Sequence, residues 1–465
     1  MSETVTQVRP DLARLIQERM GENVFLCYQC GKCTSGCPVG EFFDWQPHQI
    51  MRAVQLGQED IALESGTPWL CASCQTCTTR CPQGLDIAGI MENLTQIALA
   101  RGIRPKVPEA DLFNKAFLRE VSMWGRAYEP GLIVEFNLRS GNLLNNMDLG
   151  VRMMRKGKVK YLPGLNRPPR RARPVRGAEG AVAYYPGCSL HSTATEYNTS
   201  ARAVAEALGL RFIEPKGWIC CGATAAHKTD ADLALRLPMH NLALIEQSGF
   251  TQVVMPCAAC FNRHKAALHE IRQHPERHEW VNEALDYPYE DRVDVISMNS
   301  LIFQQARAGA LADRVKQPLK GLKVVCYYGC LLTRPPEVTE APHPENPTDI
   351  DEILRALGAD VIDWSDKTRC CGASHALGKP DIVLALSGQL IEDARAAGAD
   401  VIALACPMCH ANLDGRQFQM DLAQTIPVLY FTQLMALAFG LGARAAALHK
   451  NLVDPRPLLE ERGFV

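Results

Sequence analysis

From about residue 180 the chain alternates short apolar runs with stretches of helical spacing, and each apolar run ends at a cysteine. "AVAYYPGC" (181–188) and "TQVVMPCAAC" (251–260) are of this kind, as are "KVVCYYGC" (323–330) and "DVIALACPMC" (400–409). Runs this short, rich in Val, Ile and Tyr, predict buried strands. Between them "SARAVAEALGL" and "IDEILRALGA" carry apolar residues at helical spacing. Strand and helix in alternation predict an α/β arrangement with the cysteines on loops at strand ends. The pattern also occurs twice, since "CCGATAAHK" (220–228) returns as "CCGASHALGK" (370–379). A duplicated α/β domain with pseudo-two-fold symmetry is the expectation.

The first third reads differently. In "EFFDWQPHQIMRAVQLGQEDIALES" the spacing of Ile50, Val54 and Leu56 predicts a helix between two cysteine clusters, so a small and mostly helical domain is expected. The whole is then a multi-domain chain of α+β and α/β character. Its expected parts are a two-cluster domain (1–153), a linker (154–179), two cysteine-loop domains (180–317 and 318–450) and a tail (451–465). The linker rests on "MRKGKVKYLPGLNRPPRRARPVRG" (154–177), with nine Lys or Arg and several prolines. It reads as a solvated tether, with a basic contact for a partner protein or an anionic group as the sharper reading.

The apolar stretch "IPVLYFTQLMALAFGLGARAAALH" (426–449) is interrupted by Thr432, Gln433 and Arg444. A strand followed by a buried helix from about Thr432 is predicted, and no transmembrane segment.

Composition narrows the class. The chain has 465 residues, 47% of them hydrophobic, and a net charge of -2, which gives no bulk attraction for nucleic acid or an anionic membrane. Its 19 cysteines are the anomaly. "MSETVTQVRPDLARL" shows no charged stretch leading into an apolar one, so no export signal is read and a cytoplasmic location is expected. In a reducing compartment clustered cysteines bind metal more often than they pair.

Cys27, Cys30, Cys33 and Cys37 with Pro38 spell C-x2-C-x2-C-x3-C-P, and Cys71, Cys74, Cys77 and Cys81 with Pro82 repeat it. Three closely spaced thiolates wrap one [4Fe–4S] cube while the fourth ligates the other. One cubane is therefore assigned to Cys27, Cys30, Cys33 and Cys81, and the second to Cys71, Cys74, Cys77 and Cys37. Structural zinc, the bland alternative, uses two-plus-two spacing.

The remaining sets are Cys188, Cys220, Cys221, Cys257 and Cys260, then Cys330, Cys370, Cys371, Cys406 and Cys409. Five thiolates exceed the needs of a cube or a zinc ion. Adjacent cysteines diverge, so they suit different irons of one extended cluster, or a bridge between two irons. These CCG motifs resemble those of the B subunit of heterodisulfide reductase, and the N-terminal part resembles its C subunit, over roughly residues 20 to 445.

The resemblance implies that each five-cysteine set ligates a non-cubane [4Fe–4S] cluster, giving two cubane and two non-cubane clusters. It implies that the non-cubane pair faces a small disulfide or thiol substrate, with these cysteines as the catalytic site. It also implies a flavin-containing A-type partner subunit, since no G-x-G-x-x-G follows a strand here. A relay for a flavoprotein dehydrogenase or an electron-bifurcating complex, without disulfide chemistry, is the alternative. Cys326 reads as a buried structural thiol. His191, His227, His375 and His410 lie near ligand cysteines and are candidate proton donors.

Four clusters of four irons predict about sixteen irons per chain after anaerobic purification. Metal analysis checks this, and stoichiometric zinc with little iron is the outcome that removes the redox reading.

Overall fold

The computed structural model describes residues 11–164, 166 and 174–465. Residues 165 and 167–173, the most basic part of the stretch read as a linker, lie outside the described residues.

The N-terminal part is helical, as its spacing predicts. Pro47–Leu56 is a helix with Pro47 at its first position, where a missing N–H costs nothing, and Gly57 ends it at φ +67°. It buries Ile50, Met51 and Val54, while Leu56 is only half-buried. Gln55, buried on the same helix, donates from Nε2 to the carbonyls of Val24 and Cys27, both at 2.9 Å, and so fixes the first cysteine loop to the helix. Asp86 caps the helix Ile87–Ala100 by accepting from Gly89 N at 2.9 Å, straight after the second cysteine loop. This core runs from Leu12 to Val107 and takes in Ile382 and Leu386 from the far end of the chain.

The rest holds two four-stranded sheets. In the first, Val182–Tyr184 (β1), Phe212–Ile213 (β2), Gln252–Met255 (β3) and Asp294–Ser297 (β4) lie in the order β2-β1-β3-β4. In the second, Lys323–Tyr327 (β5), Asp360–Ile362 (β6), Val401–Leu404 (β7) and Val428–Tyr430 (β8) lie in the order β6-β5-β7-β8. All pairings are parallel, with Ala183 opposite Val253 in one sheet and Val324 opposite Val401 in the other. Burial on both faces explains why the central strands are almost wholly apolar, as Val401–Leu404 is throughout.

The order of strands reverses between the two central ones, so the crevice of each sheet opens at their carboxyl ends. Cys188 and Cys257 follow β1 and β3, and Cys330 and Cys406 follow β5 and β7. Topology thus delivers each cysteine set to one edge of its sheet.

The halves meet through aromatic and hydroxyl contacts. Tyr197 of the helix Thr195–Ala207 stacks on Tyr430 with ring centroids 4.1 Å apart, and Ser200 Oγ lies 2.7 Å from Thr432 Oγ1. The stretch 426–449 forms β8 and the buried helix Phe431–Ala438. Among the described residues no helix is long and apolar enough to cross a membrane. After it, Leu459 and Phe464 return to the same core.

Candidate functional site

Each thiol loop is built from backbone that only certain residues accept. Gly187 (φ +74°) and Gly329 (φ +70°) precede Cys188 and Cys330. A Cβ on Gly187 would lie 2.8 Å from Cys260 Sγ, and one on Gly329 would lie 3.1 Å from Cys409 Sγ. Both the left-handed backbone and the close sulfur therefore demand glycine. The glycine behind each cysteine pair, Gly222 or Gly372, is also left-handed, at φ +83° and +77°.

Cys27, Cys30, Cys33 and Cys81 together line one small cavity of ≈20 Å³. Cys37 lies instead among Cys71, Cys74 and Cys77. In this second group burial pushes the Cys71 thiol up to about 11.

The two five-cysteine sets form strings of touching thiols. In the first set Cys188 meets Cys220, Cys220 meets Cys221, and Cys260 meets Cys257. Cys221 and Cys260 are 3.5 Å apart. In the second, Cys330 meets Cys370 and Cys406 meets Cys409, while Cys371 and Cys409 are 3.5 Å apart. Asn412 reaches the Cys371 carbonyl at 3.3 Å and its sulfur at 3.7 Å. Among the described residues no three Cys, His, Asp or Glu side chains close on a single ion-sized point.

Two contacts join the groups. Cys257 of the first set meets Cys406 of the second, and Cys370 of the second meets Cys74 of the N-terminal domain. The hydrogen bond with Cys370 holds the Cys74 thiol down at about 6, while contact with Cys330 and Cys74 holds Cys370 high. Two buried cations secure this junction. Arg334, 1% exposed, donates to Thr76 Oγ1 at 2.8 Å, the Thr368 carbonyl at 2.9 Å and Thr368 Oγ1 at 2.7 Å, and it pairs with Glu345 at 2.7 Å. Lys228 donates to the Trp69 carbonyl at 3.3 Å and the Cys71 carbonyl at 2.5 Å.

A cavity of ≈210 Å³ opens onto all five cysteines of the first set. Its wall continues through Phe113, Phe117 and Leu132, and through Leu377, Met408 and Asn412 beside the second set. The lining holds no Lys, Arg or His, and its one acid is Glu129. Glu129 accepts from Ser192, and burial raises its carboxyl above the usual range.

None of the four histidines lines this cavity. His375 Nε2 is 3.0 Å from the Leu70 carbonyl, and burial holds the ring down at about 3. His410 Nε2 is 3.1 Å from the Val428 carbonyl, and burial likewise keeps the ring neutral. His227 pairs with Glu92 at 2.8 Å. His191 pairs with Glu214 at 3.0 Å and lines a separate cavity of ≈80 Å³ that shares Ala127, Glu129 and Cys188 with the main one. Cys326 is fully buried on β5, its thiol beside Asp351.

Sulfur-only donors, crowded and largely shielded from water, with glycines clearing room for them, fit [4Fe–4S] clusters. The fold and this site define an iron–sulfur electron-transfer protein. The family of 4Fe-4S dicluster domains matches residues 26–86, and the family of cysteine-rich domains matches 182–263 and 324–414. The 8-methylmenaquinol:fumarate reductase membrane anchor subunit of Wolinella succinogenes is 30% identical over 283 residues, which are 59% of this chain and 98% of that one. The B subunit of the ferredoxin/F(420)H(2)-dependent CoB-CoM heterodisulfide reductase of Methanosarcina acetivorans is 26% identical over 59% of this chain and 94% of that one. The D subunit of the dihydromethanophenazine:CoB–CoM heterodisulfide reductase of Methanosarcina barkeri is 26% identical, and the match spans 59% of its length. A crystal structure of a hypothetical protein from Helicobacter pylori shares the fold at a TM-score of 0.52 and 15% identity, over 66% of this chain and 56% of that one. The chain belongs to the cysteine-rich-domain iron–sulfur family that includes the B and D subunits of heterodisulfide reductases, and it is an oxidoreductase subunit carrying 4Fe-4S clusters.

Replacing Arg334 with Met removes the junction's charge while keeping its bulk. The expected result is a loss of about 3–5 kcal/mol in anaerobic urea unfolding, with iron content retained. Rapid-reaction spectroscopy should also show slower reduction of the second set from the N-terminal clusters.

Proposed function

We propose that the chain is the catalytic and relay subunit of a heterodisulfide-reductase-like complex, reducing or forming a disulfide at the paired five-cysteine sets. The observation that carries this reading is the order of thiol contacts, from the dicluster domain through Cys74 and Cys370 to the second set, then through Cys406 and Cys257 to the first set and its cavity. The two groups nearest the N-terminus would hold cubane clusters and the two five-cysteine sets non-cubane ones. When bound, the clusters supply single electrons. We read the two halves as duplicates about a pseudo-two-fold axis, supported by their common strand order and by the paired glycines before Cys188 and Cys330.

The overall step is R–S–S–R′ + 2e⁻ + 2H⁺ → R–SH + R′–SH. The electrons come from a flavoprotein partner of the A-subunit type. Cys188, Cys220, Cys221, Cys257 and Cys260 line the cavity where the S–S bond would lie, and Asn412 orients Cys371 behind its wall. Glu129 is the group that can hold a proton there. Its raised pKa keeps the carboxyl protonated at higher pH than an exposed glutamate, and Ser192 fixes its orientation. Among the four histidines, His191 is the one placed to return a proton to Glu129 from the neighbouring cavity. A wall of Phe, Leu, Met and Ala without cations suits a disulfide with uncharged arms.

A second reading is electron relay between a flavoprotein dehydrogenase and another acceptor, favoured by the Wolinella relative, whose name couples a methylmenaquinol to fumarate. Ligand substitutions separate the two. Cys221→Ala and Cys371→Ala should abolish disulfide turnover with reduced viologen while the paramagnetic signals of the N-terminal clusters persist. Cys30→Ala should spare viologen-driven turnover and slow delivery from the flavoprotein. Intact disulfide turnover in both CCG variants would leave only the relay.

The acid form of Glu129 is lost as pH rises through its elevated value, so disulfide reduction should decline on the alkaline side. Glu129→Gln should lower kcat and flatten that limb. A limb that persists unchanged in the variant assigns the proton elsewhere.

A further inference from the structure

Residues 123–162, between the dicluster domain and β1, carry ten of the fifteen large apolar side chains that stand exposed among the described residues. The helix Met147–Arg155 buries none of its residues. Met147, Val151 and Met154, spaced to share one face, are all exposed, while Asp148 contacts Gln419 at 3.0 Å and Arg152 lies over the Phe418 ring at 3.9 Å. A surface helix ordinarily turns its apolar stripe inward, and here polar side chains hold the body while the stripe faces out. On the preceding helix, Glu129–Ser140, Val134 and Leu138 are exposed one turn apart, and Leu144 in the joining loop is 79% exposed.

Charge decides what covers such a face. Residues 123–162 hold seven Lys or Arg and three Asp or Glu, in a chain whose net charge is -2. Of the three acids only Asp148 stands exposed. Glu129 is hydrogen-bonded to Ser192, Glu135 pairs with Arg119 and Arg139, and Asp148 is held by Gln419. Arg155 and Lys160 remain exposed near the apolar side chains. Apolar residues interleaved with cations on an outward-facing amphipathic helix match the headgroup region of an anionic bilayer.

We propose that residues 123–162 seat the protein peripherally on an anionic phospholipid membrane. Placement supports this independently of the reaction performed. Asn145 Nδ2, beside Leu144, donates to the carbonyl of Leu377 at 3.1 Å, and Leu377 lines the cavity of the first cysteine set. Phe113 and Phe117 enter the cavity from the helix Pro108–Trp124, and Leu132 from Glu129–Ser140. The membrane face therefore adjoins the cavity rim.

The test is flotation of the anaerobically purified full-length holoprotein on vesicles of phosphatidylcholine with phosphatidylglycerol, against phosphatidylcholine alone. Wild type should float with the anionic vesicles and do so less as salt is raised. Leu144→Asp combined with Val151→Asp should reduce partitioning about tenfold or more. Arg155→Glu with Lys160→Glu should lose the preference for anionic lipid, about fivefold for each cation removed. Iron content equal to wild type reports intact folding, and Leu138→Asp repeats the test from the other helix. Absence of flotation, or variants that float like wild type, would overturn the assignment. So would a wild-type dimer, or a complex with the flavoprotein partner, that Leu144→Asp splits without lipid, since either marks the face as a protein interface.

Discussion

A guanidinium buried between two thiol-bearing loops holds the rest of the arrangement in place. Arg334 spends its donors on Thr76 and Thr368, residues that stand two positions from Cys74 and from Cys370. Each charge-assisted hydrogen bond contributes about 1.5–3 kcal/mol, and a buried cation without such partners would not be tolerated. Lys228 acts alike from the first half, binding carbonyls on either side of Leu70. Cluster-binding loops concentrate negative charge once their thiols ionise. Two buried cations at the point where three parts of the chain meet offset that charge where solvent cannot.

Given this junction, the parallel sheets set the rest of the geometry. Each sheet puts its crevice at the carboxyl ends of the central strands, and loops from both strands reach it with little freedom. Left-handed glycines before Cys188 and Cys330 then let sulfur pack against backbone at distances that any side chain would block. The answer to why two neighbouring cysteines recur is geometric. Cys220 turns toward Cys188 and Cys221 toward Cys260, and in the second set Cys370 turns toward Cys330 and Cys74 while Cys371 turns toward Cys409. In the first set the two adjacent thiols also touch each other, so together they join Cys188 to Cys260.

Local pattern made part of this legible. The helix 47–56 and the strand–helix pair at 428–438 follow from spacing and from proline and glycine punctuation, because short-range sterics decide them. The expected crossing of Cys81 to the first group and Cys37 to the second comes from the repeated C-x2-C-x2-C-x3-C-P spacing. Contacts across long sequence separations were not legible. Arg334 and Thr76 are 258 residues apart, and nothing in "RPPEVTEAPHPENP" marks its arginine as buried. Glu129 and Asn412 sit in helices whose periodicity speaks only of packing, and the cavity they share exists only once three segments converge. Nearness in sequence misleads for the histidines in the same way. His375 and His410 are close to ligand cysteines along the chain, yet their ring nitrogens serve backbone carbonyls.

The two sheets are alike in order but not in surroundings, and the difference has a physical source. The segment 334–347 is an insertion with no counterpart in the first half, and it supplies both Arg334 and Glu345. Glu345 also binds Arg80 in the second cysteine loop at 2.5 Å, so this one segment ties the dicluster domain to the second half at two points. The first half meets that domain differently, through Lys228 and through Gln96, which donates to the His227 carbonyl at 2.6 Å. As a result a dicluster thiol, that of Cys74, touches the second set, while the cavity opens onto the cysteines of the first. One short insertion thus makes two sheets of like strand order unlike in their surroundings, the second bound to the dicluster domain and the first opening onto the cavity.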